Sequence, residues 1–582
     1  MNSPRTEIES LLAIDVGSVN TRAVLFDVAA ERYHFVAAGL APSTADAPYK
    51  DIGEGTRAAL EDLQRITGRT LVGKDERVIL PGHPDGSGVD AMVLSMSAGP
   101  LLNVVAVGLL QDVSLESAQR LAASSYTRLA ESIWLNDHRK AETQIDAIIQ
   151  ARPDILIVAG GTDHGANKSI ANLMEVVGLA CYLTPVENRP ILMYAGNQEL
   201  AGRIKEQFDV MTTVRLAPNI RPDFDLEDLS PAQICLAEIV NQIRGARVAG
   251  VSDLAVQSGG YTLPTANAFG RVIRFLSRIY DQNKGVLGVD LGATATTVAA
   301  AFGGKLALHV NRPLGMGAGI EGLLDPAQVA EISRWLSIAL PEDDLLDYMH
   351  QKIAYPASLP VTPEELAIEQ AIARQALRVA IRGIPPGLVE PVHPDGAGLS
   401  APFEPILATG AVLTQAPTQG QSMLMLLDAL QPVGVTTLVL DQNHLAPALG
   451  LAAGINTLLP VQILESGAFL NLGTVISPIC SADPGTPIVR FRLVYSDGTE
   501  ATAEVKQGSL HVLPLARNQT AQLYLEPLHH TDLGFGRAGR GVKITGGALG
   551  AVIDGRGRPI RLAGDPSERQ EQHKKWLWAL GG

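Results

Sequence analysis

Short runs of Ile, Val, Leu and Ala, broken by Gly, Ser and Asn, alternate along this chain with segments whose apolar residues recur at helical spacing. LLAIDVG and TRAVLFDV, within residues 11–28, flank the turn-prone Ser18-Val19-Asn20 and predict a β-hairpin. GEGTRAALEDLQRIT then predicts a helix over about 51–67. From VVAVGLLQDVSLESAQRLAASSY onward, strands and helices alternate. QIDAIIQARPDILIVAGGTDHGANKSIANLMEVVG reads helix, strand Ile155–Gly160, Gly-rich corner and helix, and ILMYAGN (191–197) leads into another helix. Such β-α-β-α order predicts a mainly parallel sheet covered on both faces.

After a helical stretch near 232–244 and a loop-rich TLPTANAFGRVIRFL, a second hairpin, GVLGVDLGATATTVAAAF (285–302), opens a new lobe. A long helical region follows over about 325–383, then a Pro/Gly-rich surface connection over 384–405. PILATGAVLTQAP and TTLVLDQNHLAPALGLAAG each predict a strand leading to a helix. Beyond about 461 the texture changes to short strands and turns, as in VRFRLVYSDGTEATAEV. The expected organisation is an N-terminal α/β lobe over 1–284 with an inserted α/β region at about 60–280, a second lobe over 285–460, and a β-rich domain over 461–582.

Charge narrows the function classes. With 46 Lys plus Arg against 61 Asp plus Glu, the net charge of −15 opposes attraction to nucleic acid or anionic lipid. Three dispersed cysteines suggest neither a disulfide framework nor a metal knuckle, and MNSPRTEIES lacks the marks of a signal peptide, so the expected compartment is the cytosol. The apolar run at 285–302 carries Asp290 and is cut by glycines, which predicts buried strands and not a membrane span.

The two hairpins share a chemical oddity. Side chains alternate along a strand, so Asp15 and Gly17 fall on one face, and Asp290 and Gly292 repeat the arrangement. A carboxylate at the end of a buried strand needs a hydrogen-bonding or metal partner. Backbone N–H groups near Gly17, with Ser18, Asn20 and Thr21, could cradle phosphate, as could the turn containing Gly292, Thr294 and Thr296. A Mg2+ ion would turn the repulsion between aspartate and phosphate into a bridge, which makes Asp15 and Asp290 candidate metal-binding and catalytic residues. The alternative for either hairpin is a strand-ending turn capped by its Asp. Ala408-Thr409-Gly410-Ala411 is a third small-residue turn, able to lie against a purine or ribose, or an ordinary strand-to-helix corner.

Other polar positions carry less. Asp163 in VAGGTDHGAN could act as a general base, or Thr162 or Asp163 could cap the helix beginning near Ala166; His164 reads as a loop residue. His529 and His530, adjacent on an expected strand, would face opposite ways and share no ion. Arg556 and Arg558 read as surface charges.

Two phosphate-type hairpins followed by a small-residue turn resemble the two-lobed ATPase fold shared by actin, sugar kinases and heat-shock chaperones, whose ribonuclease H-like lobes close over Mg-ATP. A closer resemblance runs through IDVGSVNTRAVLFD, SMSAGPLLNVVAVGL, PDILIVAGGTDHGANKSI, YAGNQEL, GVDLGATATT and ILATGAVLT, which in that order are similar to the glutamate mutase-associated MutL family, unrelated to the mismatch-repair protein of that name. The resemblance implies an ATP- and Mg2+-dependent, chaperone-like reactivating factor for an adenosylcobalamin-dependent mutase. Asp15, Gly17, Ser18 and Thr21 would form its first phosphate motif, Asp290, Gly292 and Thr296 the second, and Thr409 and Gly410 the nucleoside contact. Family chains tend to read D-x-G-G-A-T-T-D at the second motif, whereas Ala293, Ala295 and Thr297 stand here, so an acid is missing at 297. Two further readings share the fold: a small-molecule kinase using Asp163 as its base, and a nucleotide-sensing scaffold without turnover.

Overall fold

A computed structural model describes residues 8–384, 398–534 and 541–581. The chain divides into two compact units, one running to Val28 and over Val36–Ala268, the other comprising Ala29–Phe35 and the chain from Phe269 onward.

In the first unit, β1 (Ser10–Val16) pairs antiparallel with β2 (Asn20–Ala29), which neighbours β3 (Arg32–Pro42). On its other side β1 pairs parallel with β4 (Ala91–Met96), which in turn pairs parallel with β10 (Thr262–Pro264), giving the order β10-β4-β1-β2-β3. The helix Gly53–Thr67 buries Ala59, Leu60 and Leu63 in the same core as Leu12, Ile14 and Val16, the inward face set by strand alternation.

Between β4 and β10 lies a second sheet of β5 (Leu102–Gly108), β6 (Thr127–Trp134), β7 (Ile155–Val158), β8 (Ile191–Tyr194) and β9 (Val214–Leu216), all parallel in the order β6-β5-β7-β8-β9. Its three inner strands, β5, β7 and β8, are apolar at nearly every position because both of their faces are covered. Val105, Val107, Leu156 and Val158 enter one core and Val104, Ala106, Ile155 and Ile157 the other. Since β4 and β10 belong to the lobe sheet, the insertion is narrower than the expected 60–280. TLPTANAFGRVIRFL is not loop-rich: it supplies β10 and the helix Thr265–Ile279, whose strong apolar stripe outweighs its Asn and Gly.

The second unit repeats the lobe. β13 (Lys305–Asn311), β12 (Thr296–Phe302), β11 (Gly285–Leu291), β14 (Phe403–Thr409) and β15 (Gly434–Leu440) stand in that order, with β11, β14 and β15 parallel and the β11–β12 and β12–β13 pairs antiparallel. This sequence of strands and directions matches β3-β2-β1-β4-β10, as the two-lobed actin-like fold requires. The sheet then continues through β16 (Leu470–Ser477), β22 (Ala551–Asp554) and β19 (Leu510–Leu513). Only β17 (Pro487–Tyr495), β18 (Glu500–Lys506), β20 (Thr520–Pro527) and β21 (Val542–Thr545) form a separate sheet. The segment after 461 is therefore partly the lobe itself, and it ends in the helix Pro566–Ala579.

Two further expectations change. Arg556 and Arg558 are buried, not surface charges. Arg556 bridges Asp428 (2.6 Å) and Asp554 (2.8 and 2.9 Å), Arg558 reaches Asp554 (2.9 Å), and Arg374 holds the other oxygen of Asp428 (2.7 Å). Burial works against the Asp554 carboxylate, but the two guanidinium groups outweigh it and hold its pKa well below the ordinary value. His529 and His530 follow β20 in a turn, both with left-handed backbone (φ 48° and 55°), and are not on a strand. Most of the expected 384–405 connection lies outside the described residues. No helix among the described residues is long and apolar enough to cross a membrane.

Candidate functional site

Each lobe presents its D-x-G turn at the end of the central strand, and the two turns are built alike. Gly17 N–H donates to the Asn20 carbonyl (2.9 Å) and Gly292 N–H to the Ala295 carbonyl (3.0 Å). A Cβ at either glycine would lie 2.9 Å from that same carbonyl oxygen, so any larger residue would force the turn open. Neighbouring loops occupy the carbonyls of both turns. Ser43 N–H donates to Val19 O (2.8 Å), while Met316 N–H reaches Gly292 O (2.9 Å) and Gly317 and Gly319 N–H reach Ala293 O (2.8 and 2.9 Å). Among the described residues, the main-chain N–H groups of Ser18, Val19, Ala293 and Thr294 donate to no protein acceptor. Two adjacent N–H groups released in this way are the elements of an anion-binding nest.

The aspartates sit directly behind these turns. Asp15, half-buried, accepts through Oδ1 from Ser95 Oγ (2.6 Å) on β4 and from Thr265 Oγ1 (2.8 Å) at the start of the helix after β10. Those bonds supply the partner that its strand position demands and fix the orientation of the carboxylate. Asp290 is 8% exposed and stands in register with Thr409 on β14, as Asp15 does with Ser95 on β4. Across each hairpin the paired residue is Arg22 for Asp15 and Thr297 for Asp290. An acid at 297 would face Asp290 on one side of the sheet; Thr297 leaves Asp290 the only carboxylate of that pair.

Thr409 Oγ1 donates to the Asp441 carbonyl (3.0 Å) and meets His444 Nδ1 (3.2 Å). Gly410 follows with φ 116°, and a Cβ there would stand 2.3 Å from Leu291 O, so this corner lies on the main chain of β11. Both Asp441 oxygens cap the next helix, accepting from Leu445 and Ala446 N–H (2.8 and 2.7 Å).

Of the expected ligand residues, Gly17, Ser18, Gly292 and Thr294 lie in the turns, and exposed Asn20 ends the first turn. Thr21 and Thr296 do not join them. Their register partners are Val16 and Leu291, so they project to the sheet face opposite Asp15 and Asp290, where both are fully buried and Thr296 Oγ1 donates to Leu314 O (2.9 Å). Asp163 belongs to the inserted sheet. Its Oδ1 accepts from Asn219 Nδ2 (2.9 Å) and from Gln198 N–H (3.2 Å). It therefore serves the start of the helix Gln198–Phe208, not the helix Asn167–Leu183, whose N-terminus has no side-chain cap. Exposed His164 pairs with Glu199 (2.6 Å), and that hydrogen bond raises the imidazole pKa. The sequence reading missed Ser95, Thr265, His444 and the Gly315–Gly319 backbone. A hydroxyl inside the greasy run VLSMS was the available signal for Ser95.

A family model described as MutL protein matches residues 11–467. No match was found among curated proteins. Among solved structures, the chain is similar to nucleotide-free acetone carboxylase, with 13% identity over 88% of this chain and 82% of that one and a TM-score of 0.30. It is similar to component A of (R)-2-hydroxyglutaryl-CoA dehydratase from Acidaminococcus fermentans, with 9% identity, 76% and 96% coverage and a TM-score of 0.26. Glycerol dehydratase reactivase matches with 11% identity, 72% and 94% coverage and a TM-score of 0.27.

Proposed function

This chain belongs to the MutL protein family, and from that premise we propose that it binds Mg-ATP through its D-x-G hairpins and acts as a chaperone-like reactivating factor for an adenosylcobalamin-dependent mutase of the glutamate mutase type. The observation that carries the nucleotide reading is the duplication. One turn geometry, with a glycine N–H closing it, two N–H groups without an acceptor and a carboxylate behind it, recurs in two lobes of the same strand order. A chance capped turn has no reason to recur at the equivalent strand of two separate sheets.

The donor set fits the ligand. Carboxylate oxygens of Asp15 and Asp290 are hard donors suited to Mg2+ and its waters, and the N–H pairs Ser18–Val19 and Ala293–Thr294 suit phosphate oxygens. Ser95 and Thr265 orient Asp15, and the glycine corner at Gly410 offers a bare main chain to a flat ring. Bound Mg-ATP would supply a triphosphate and a metal ion, and a ligand biases a conformational change only through a difference in affinity between two states. Thr297 opposite Asp290 favours slow turnover or pure nucleotide sensing over efficient hydrolysis. The kinase reading loses its base, because Asp163 is engaged by Gln198 and Asn219.

The test is Mg-ATP binding and phosphate release by the purified chain, alone and with a glutamate mutase-type enzyme inactivated by damaged cobalamin. Release stimulated by the mutase, with restored mutase activity, is expected. Transfer of the γ-phosphate to a metabolite overturns the reading, and binding without release or restoration leaves the sensing role in its place. Asp15→Ala abolishes Mg-ATP binding; unchanged affinity would mean that the hairpin is not the site.

A further inference from the structure

The loop after β9 does something the nucleotide chemistry does not use. It runs across the carboxyl ends of the inserted strands and is fastened at several points along its length. Asn219 Nδ2 donates to Gly161 O (3.0 Å) and to Asp163, and Asp163 N–H donates to Pro222 O (3.1 Å). Arg221 Nε reaches Ser117 Oγ (2.8 Å) and its Nη1 reaches Phe224 O (3.3 Å). Glu227 Oε1 accepts from Ser117 Oγ (2.5 Å) and from Arg120 Nη2 (2.6 Å), and Asp228 N–H closes the loop on Ile220 O (3.1 Å).

All this bonding holds an apolar tip out in solvent. Asp223 and Leu226 bridge across a tight turn, leaving Phe224 56% and Leu226 52% exposed. The sequence there is DFDLED, and Asp223, Asp225 and Asp228 are exposed around the two apolar side chains. The basic residues bonded to this segment are engaged from below it: Arg221 reaches Ser117 Oγ and the Phe224 carbonyl, and Arg120 reaches Glu227. Leu110 and Leu135, from the loops after β5 and β6, add exposed apolar surface at the same end of the sheet (45% and 37%). A loop merely closing a sheet would keep Phe and Leu inside. Here the fixed backbone has already met the ordering cost that a flexible loop incurs on binding.

We propose that Asp223–Asp228 is a rigid docking knob whose occupant is a protein surface with two adjacent apolar pockets ringed by Lys or Arg. The acidic rim repels phosphate and so disfavours nucleic acid and anionic membrane. On the reading given under Proposed function, on which this inference rests, that surface belongs to the mutase.

The experiment measures equilibrium binding of the mutase holoenzyme to the intact chain, to Phe224→Ser/Leu226→Ser and to Asp223→Asn/Asp225→Asn/Asp228→Asn, with Mg-ATP affinity and thermal midpoint recorded for each. The apolar pair of substitutions weakens mutase binding at least tenfold with Mg-ATP affinity and midpoint unchanged, and the charge variant flattens the salt dependence of mutase binding. Wild-type affinity and salt dependence in both variants overturn the knob while leaving the reactivating role intact. Failure of the wild-type chain to bind the mutase overturns both.

Discussion

Replacing Arg556 by Met removes the one side chain that touches both carboxylates of the buried charge network. Asp428 keeps only Arg374 and Asp554 keeps only Arg558, each in a site with no measurable exposure of the carboxylate side chain. Breaking a buried pair from one side costs about 3–5 kcal/mol, because the remaining charge stays dehydrated. The lost stacking of Arg556 on the Trp576 ring, 4.7 Å away, adds to this in the same direction. The expected change is a loss of about 4 kcal/mol, or a fall in midpoint of the order of 10 °C for a unit of this size. Urea and thermal unfolding followed by tryptophan fluorescence read it directly, since Trp576 is packed in the same cluster. Arg490→Met is the control. Arg490 also contacts two carboxylates, Glu504 (2.8 Å) and Glu526 (2.9 Å), but its side chain is 51% exposed, so its loss costs less than about 1 kcal/mol. Equal destabilisation by the two variants, or a change below about 1 kcal/mol for Arg556→Met, would refute the argument from burial.

Ser95→Ala frees the Asp15 carboxylate from one of its two orienting hydroxyls, and Mg-ATP affinity by calorimetry falls roughly tenfold, the value of one hydrogen bond to a charged group. Gly410→Ala forces a Cβ into contact with Leu291 O at a positive φ; nucleotide affinity falls and stability drops by about 2 kcal/mol or more in denaturant titration. Burial, with Arg374 and Arg556 assisting and Asp428 opposing, pushes the His573 imidazole down to about 4. The unfolded chain therefore takes up the proton first. Stability is fully present above about pH 6.5 and declines as pH falls towards 4. His573→Phe flattens the midpoint-against-pH curve across that window.

Much of this architecture was legible because local pattern and tertiary role agree. The strand–turn–strand of each D-x-G motif, the parallel character of the insertion and the small-residue corner at Gly410 follow from alternation and turn residues alone. The failures share a cause. Ser95 and Thr265 reach Asp15 from positions 80 and 250 residues away, beyond any local window. Arg556 and Arg558, beside glycines, look like a polar turn until Asp428 and Asp554 are brought to them. Thr21 and Thr296 were misjudged for a different reason. Hairpin register alone, with Asp15 opposite Arg22 and Asp290 opposite Thr297, sends each of these threonines to the other face.

The family match ends at residue 467, and β16 begins at Leu470. Strands β16, β22 and β19 come later, as do Arg556 and Arg558, which neutralise Asp554 and, through Arg556, share Asp428 with Arg374, so what the family pattern describes is less than what the second lobe needs. During synthesis the first unit has its complete sheet once Ala268 has emerged and can fold on the ribosome. The second must wait with β16 as an open edge and Asp428 lacking Arg556 until residue 556 arrives. A pause or premature stop between 470 and 556 would thus strand a half-built sheet beside a finished neighbour, a species for cellular quality control to remove.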